Sequence, residues 1–481
     1  MHIYGGEPLR FSVGRVTKLV NPASIVTPSR GISCEYLWHL YMVKVIEFIL
    51  SMDLKRLEVS RLFHRFAFGP RPGEFAAALN LGPANLKDLL LNPPPVDLGS
   101  QNVPIFSDLG PRPAANSPAV KEFSQSLRSQ SKELTTWWLN QMVLTEKPLQ
   151  EKMVWFWHGH WATSIGKVNY PLPMLKQNQT FRKHALGNFR DLSQVMLLDG
   201  ALQIWLDGNE NTLKAPNENL AREVMELFTL GVGRYSESDV KELARALTGY
   251  QVVRSTGVVT LNQRRRDKNP VAILGKSTVM GAPEAISHIV DQTDCARFLA
   301  ERLWFRFISS SESMPKDHPL VGALANREIS QGLKVLINNQ DLLNLNYSMV
   351  KSPVEWFVAV CKALELVPSK LDSFTKLNNY LEKMAQIPFS PPNVGGWPTD
   401  EAWLSSATAQ FRIAFATWLV KQADLSDLGA VAPERRISYL ADLLAVPEWT
   451  PRTSSALYDV RTNLPRLVTL AICTPEYVVS Q

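Results

Sequence analysis

The chain has 481 residues, 45% of them apolar and 20% charged, with a formal net charge of +6. That length can bury a large core without disulfides or metals, and the balance is that of a folded globular protein. Collagen, coiled coil, membrane bundle and disulfide scaffold are excluded. A surplus of +6 over this length does not mark a nucleic-acid binder, although an acidic partner stays open.

Residues 1–51 mix Gly, Pro and Ser with scattered apolar residues and show no clear period. Leu37 to Leu50 is the most apolar early stretch, but His39, Lys44 and Glu47 interrupt it and no small-residue cleavage site follows. It is therefore not read as a signal peptide. A confident pattern starts at Met52, which is expected to be the natural start, with 1–51 a gene-model extension or an arm. No run approaches the ~20 apolar residues that span a bilayer.

From there helical signals dominate. Leu54, Leu57, Leu62 and Phe63 open an amphipathic stretch that ends at Gly69-Pro70-Arg71-Pro72-Gly73, a strong breaker. Residues 75–91 read as a helix pair closed by Asn92-Pro93-Pro94-Pro95, and 92–118 as a loop or linker. Helical spacing resumes over 121–144. Pro148 suits the first turn of a helix expected to stop around Gly159. Residues 181–206 are apolar at helical intervals, and 217–230 form a helix closed by Gly231. Ser236-Glu237-Ser238-Asp239 predicts a capping box opening the next helix, which ends at Gly249. Two more run over 294–309 and, with Ser352 as cap and Pro353 at its first position, to Leu366. Only 250–275 looks β-like, at Val252-Val253, Val258-Val259-Thr260 and Val271-Ala272-Ile273-Leu274. The fold class is mainly α: a multi-helix array over 52–481, one large domain, with a small β-hairpin region.

The four cysteines, Cys34, Cys295, Cys361 and Cys473, form no C-x-x-C motif, and Cys295 and Cys361 read as small buried hydrophobes. The basic run Arg264-Arg265-Arg266-Asp267-Lys268 reads as a solvated hairpin tip. There is no Walker loop, no G-x-S-x-G elbow and no H-E-x-x-H.

Three constellations could carry chemistry. The first is Trp155-Phe156-Trp157-His158-Gly159-His160-Trp161. Two His at i and i+2 face apart on a helix and together on an extended segment, so a helix end at Gly159 would let both rings converge. They could then bind a divalent metal, which needs three or four ligands, or move protons. The plainer reading is that each ring bonds a backbone group. The second is Asn217 to Phe228, where Asn219, Arg222, Glu223 and Glu226 fall on one stripe about 100° wide. It is either a solvated face or a carboxylate–guanidinium cluster with shifted pKa values. The third is Pro391-Pro392-Asn393-Val394-Gly395-Gly396-Trp397-Pro398, a shaped loop that is a lid or a connector.

At these residues the sequence resembles the bacterial domain-of-unknown-function 1800 family. The matching stretches are Leu62-Phe63-His64-Arg65-Phe66-Ala67-Phe68-Gly69, Pro148 to Met153 running into Trp157-His158-Gly159-His160, His184 to Leu192, Asn217 to Gly231, and Ala244 to Gly249. The Pro391–Pro398 loop is similar to a planctomycete-like branch. The resemblance implies a bacterial helical protein with no established activity. It also implies a partner, an uncharacterised phosphatase- or sulfatase-like protein encoded nearby. Some members are exported; without a recognisable signal this chain is expected in the cytoplasm. Many members carry a His-Asp pair where Arg266-Asp267 stands, and some a His where Phe228 stands, so any metal set here would be incomplete.

The sequence thus predicts a polar site joining His158 and His160 to the Asn219–Glu226 stripe. Glu223 or Glu226 would be the acid or base, Arg222 would hold it or a substrate anion, and the histidines would shuttle protons or bind a divalent metal in hydrolytic chemistry. Two non-catalytic readings stand beside it. One is an accessory protein acting with the phosphatase-like neighbour, its stripe a structural ion network. The other is a surface-polysaccharide-binding protein that needs exposed, coplanar tryptophans.

Overall fold

The computed structural model describes residues 53–480; the expectations for 1–51, for Met52 and for Cys34 lie outside the described residues. Asp53 caps the first helix, Leu54–Arg61, by accepting from the Lys55 and Arg56 N–H groups. The helix then widens into a π-turn, Leu62–Phe66, and turns off where Gly69 takes φ +89°. The helix pair follows as Glu74–Leu81 and Pro83–Leu91, then no helix or strand until Ala119–Leu144. The fold is mainly α, and its strands form three two-stranded antiparallel sheets among the described residues.

Local chemistry sets most boundaries. The Ser236 box forms as expected and opens Glu237–Ala246. Ser352 and Pro353 open Pro353–Ala363. The 181–206 stretch is three helices, Pro171–His184, Phe189–Leu197 and Gly200–Trp205. Asn188 accepts from the Arg190 N–H and Asp199 from the Leu202 N–H, so two short polar side chains restart the helix twice. The β-like region is two hairpins, Tyr250–Val253 with Val258–Leu261 and Val271–Ile273 with Lys276–Thr278. The basic run is not a hairpin tip. It links the two hairpins, and buried Asp267 accepts from Arg245 Nε at 2.8 Å. A third pairing, Met349–Val350 with Val479–Ser480, ties the C-terminal end beside the 350s; two residues per strand leave no readable period.

One continuous apolar cluster runs from Val59 to Val478. Trp138, Trp157, Trp161, Trp304 and Trp356 are fully buried within it. Cys295 and Cys361 are free and buried, as small hydrophobes should be. No helix of the described residues is long and apolar enough to cross a membrane.

Candidate functional site

The helix Pro148–His160 ends one residue beyond Gly159, too late for the two rings to converge. The Trp161 N–H still bonds the Trp157 carbonyl at 2.8 Å, so His158 and His160 both lie on helical backbone and point to different surroundings. Gly159 lends its carbonyl as a seat, and an added Cβ at Gly159 itself would meet open space. Gly396, from the Pro391–Pro398 loop, packs so close that a Cβ there would sit 2.8 Å from the Gly159 carbonyl oxygen, and its φ is +89°. Gly396→Ala is therefore expected to cost about 1–3 kcal/mol for the left-handed backbone alone. Urea unfolding would measure it; a change below about 0.5 kcal/mol would show that the loop is not seated there.

His158 is sealed among aromatic rings, with Trp138, Phe389 and Trp397 centroids 5.1, 5.3 and 5.3 Å away. Its Nε2 accepts from the Phe389 N–H at 3.1 Å, so the ring proton sits on Nδ1. Burial drives its pKa down to about 3, and the ring is neutral. No lone pair is left on it for a metal.

His160 has the opposite tautomer. Its Nε2 lies 2.9 Å from the Phe228 carbonyl oxygen and must donate, which leaves the Nδ1 lone pair free. That Nδ1 is buried and has no partner. Burial, and then the charge of Arg302, hold this ring too at about 3. The Phe228 carbonyl is available because Glu218–Glu223 passes into a π-turn, Val224–Thr229, and ends there.

The predicted stripe lies on that same segment but turns elsewhere. Arg222 makes a two-pronged bond to Glu237, both contacts 2.7 Å. Glu226 accepts from the Tyr235 hydroxyl at 2.5 Å. Glu223 is half-buried, and burial and then Glu226 raise its pKa. The stripe thus holds one ion pair, Arg222–Glu237, and one tyrosine–carboxylate hydrogen bond. It meets His160 through the Phe228 backbone only, and Arg222, Glu223 and Glu226 do not line the cavity that His160 lines.

Among the described residues no group of three or more His, Cys, Asp or Glu side chains could hold a metal ion. With the His158 lone pair already engaged, the histidine pair does not fit the divalent metal expected from the sequence. The tryptophans do not fit the sugar-binding expectation either. Trp155, Trp157 and Trp161 are buried, so they offer no exposed face.

What the structure does bring together is a cavity of about 110 Å³. Trp155, Phe156, Gly159 and His160 form one wall, and Trp397, Pro398 and Trp403 another. Trp155 and Trp397 stack with centroids 5.0 Å apart. The third wall is the helix Thr293–Phe307, which contributes Arg302 and Arg306 from successive turns. Arg306 is paired with Glu355. Arg302 is not: among the described residues no carboxylate lies within ion-pair distance, and its Nε is sealed from solvent with no hydrogen-bond partner. Burial lowers its pKa. The buried Trp397 Nε1 donor is likewise unpartnered. Sequence reasoning found His160 and the Trp397 loop but missed Arg302. The available signal was two arginines four apart in the strongly apolar run Phe298 to Phe307.

A helical chain with a small, tryptophan-walled polar cavity, its charged lining Arg302, Arg306 and Asp400, is the class that fold and site define. By its sequence, the chain belongs to the family described as protein of unknown function (DUF1800), matched over residues 61–479. No curated protein and no solved structure matches it.

Proposed function

We propose that this chain binds a small oxyanion, or a group that ends in one, in the cavity between Arg302, His160 and Trp397. The observation that carries the reading is Arg302, a guanidinium with a sealed, unpartnered Nε and no ion pair to a carboxylate among the described residues, beside a cavity that it lines together with Asp400. Partly burying a charge and sealing one of its donors is costly unless a partner arrives. The guanidinium fork suits sulfate, phosphate or carboxylate. Trp397 Nε1 offers a further donor, and His160 Nδ1 accepts from a protonated oxygen. About 110 Å³ is below the roughly 150 Å³ that admits benzene, which favours a compact anion over a large ring.

This reading supports an accessory role beside the phosphatase- or sulfatase-like neighbour, whose esters carry such anions. In it the Arg222–Glu226 stripe is a structural clamp. The Pro391–Pro398 loop supports placing the chain in the planctomycete-like branch of its family. A second reading, hydrolysis of the bound ester, is favoured by the free Nδ1 lone pair of His160, which would take a proton from the attacking water and return it to the departing alcohol.

Calorimetric titration of the full chain with sulfate, phosphate and methyl phosphate tests binding. One saturable site is expected, with affinity at least tenfold weaker in Arg302→Gln, about 1.4 kcal/mol. Absence of saturable heat, or equal affinity in the variant, overturns the reading. Turnover of methyl phosphate that is lost in His160→Gln would select the second reading.

A further inference from the structure

A second chamber, of about 20 Å³, lies beside the outer cavity and shares Arg306, Met349 and Val350 with it. Its titratable walls are His64, Arg65, Lys152, Arg306, Lys351 and Glu355. They come from five separate places: the π-turn Leu62–Phe66, the helices Pro148–His160, Thr293–Phe307 and Pro353–Ala363, and the residue after the strand Met349–Val350. Four are cations and one is a carboxylate. Arg65, Lys152, Lys351 and Glu355 are each more than nine-tenths buried.

The pairing does not balance. Glu355 takes Lys152 at 2.5 Å and also Arg306. Arg65 and Lys351 have no carboxylate among the described residues. Arg65 spends its donors on the carbonyls of Ile308, Tyr347 and Ser480 and on the Ser480 hydroxyl, which satisfies N–H groups but leaves the charge. Lys351 donates to the Tyr477 carbonyl, and Lys152 to Glu355 and the His64 carbonyl. An ammonium has three N–H groups, so Lys351 keeps two and Lys152 one with no described oxygen or nitrogen acceptor, beside the faces of the Tyr477 and Phe68 rings at 4.5 and 4.9 Å. His64 adds no negative charge: burial and then Lys351 hold it well below its usual pKa, and its Nε2 faces the Leu444 and Ala445 carbonyls.

A chamber needs about 10–15 Å³ to admit one water-sized sphere, so this one takes a single atom-sized guest. Water would accept the spare N–H groups but would not offset the charge. We propose that the chamber is a halide site, in which one chloride ion accepts from Lys351 and Lys152 and supplies the counter-charge that the described residues do not give this cluster. Polyatomic oxyanions are too large for it, which separates it from the outer cavity. The direction of the lysine pKa values agrees with a cluster short of negative charge. Burial and then Lys152 lower Lys351 to about 7, and burial takes Lys152 to about 8.

The test is thermal unfolding of the full chain at pH 6 in the Arg302→Gln background, which removes the outer anion. Chloride, bromide and gluconate are compared at equal ionic strength. A saturable rise of Tm in chloride and bromide over gluconate is expected, and Lys351→Met should lose it. Equal Tm in all three salts, or the same halide increment in Lys351→Met, overturns the proposal. Should Lys351→Met fail to fold, crystals of the unaltered chain in bromide decide. An anomalous peak in contact with Lys351 Nζ supports the site, and an empty chamber overturns it.

Discussion

Glu355→Gln should lower the unfolding free energy by about 3–5 kcal/mol, because removing one member of a buried pair strands the others. Glu355 is the shared acceptor of Lys152 and Arg306, and it also receives the Ser352 N–H at 3.2 Å at the start of its helix. Glutamine keeps the shape and the acceptor but not the charge, so two buried cations lose their counter-ion. The same carboxylate sets an acid limit. Burial alone would raise its pKa, but Arg306 and then Lys152 outweigh that and hold it well below the usual 4.5. A group depressed in the folded state adds stability above its unfolded pKa and loses it as pH falls toward the folded value. Wild-type stability should therefore drop as pH falls below about 4.5, and Glu355→Gln should lack that part of the slope. Urea unfolding at pH 7 and across the acid range measures both. A loss below about 1 kcal/mol at pH 7, or identical acid slopes, would remove Glu355 as the centre of the cluster.

Trp157→Ala is expected to cost about 3–5 kcal/mol, the range for truncating a large buried aromatic. The ring is fully buried and stacks on Phe189 with centroids 5.6 Å apart. It stands edge-on to Phe156 and His160. Its Nε1 donates to the Ala185 carbonyl at 3.0 Å, so truncation strands a buried acceptor as well as opening a void. Trp157→Phe keeps most of the volume and should recover more than half of the loss. Because His160 leans on this ring, the alanine variant should also weaken anion binding, whereas phenylalanine should leave it near wild type. Equal stability for the two variants would mean that the site relaxes around the void.

Much of the helical layout was legible because single residues dictate it. Pro148, the Ser236 box and the Ser352-Pro353 start need only local chemistry, and each opens a helix. Asn188 and Asp199 were harder. Inside an apolar period they look like the wet side of one long helix, and only their bonds to following N–H groups make them caps. The stripe from Asn219 to Glu226 assumed uniform α spacing. The π-turn at Val224–Thr229 widens the backbone beneath it, and Glu226 ends on Tyr235 while Arg222 ends on Glu237. The spacing of Arg302 and Arg306 in an apolar run marks the pair, but the sequence does not tell which of the two lacks an ion pair. An arginine on a helix reads as solvent-facing, and its lack of an ion pair is a property of neighbours drawn from distant segments. Gly159 marks the helix end to within one residue, but its letter does not show that its carbonyl seats Gly396 of a distant loop.

That seat has a consequence for traffic through the cavity. Gly396 rests on the Gly159 carbonyl with no room for even a methyl group, and nearby the Phe389 N–H is fastened to His158. A wall pinned at two points along one helix does not swing like a door. For the anion proposed above, passage would then fall to side chains that line the cavity, such as Trp397 and Trp403, whose rotamer hops are faster than the swing of a hinge.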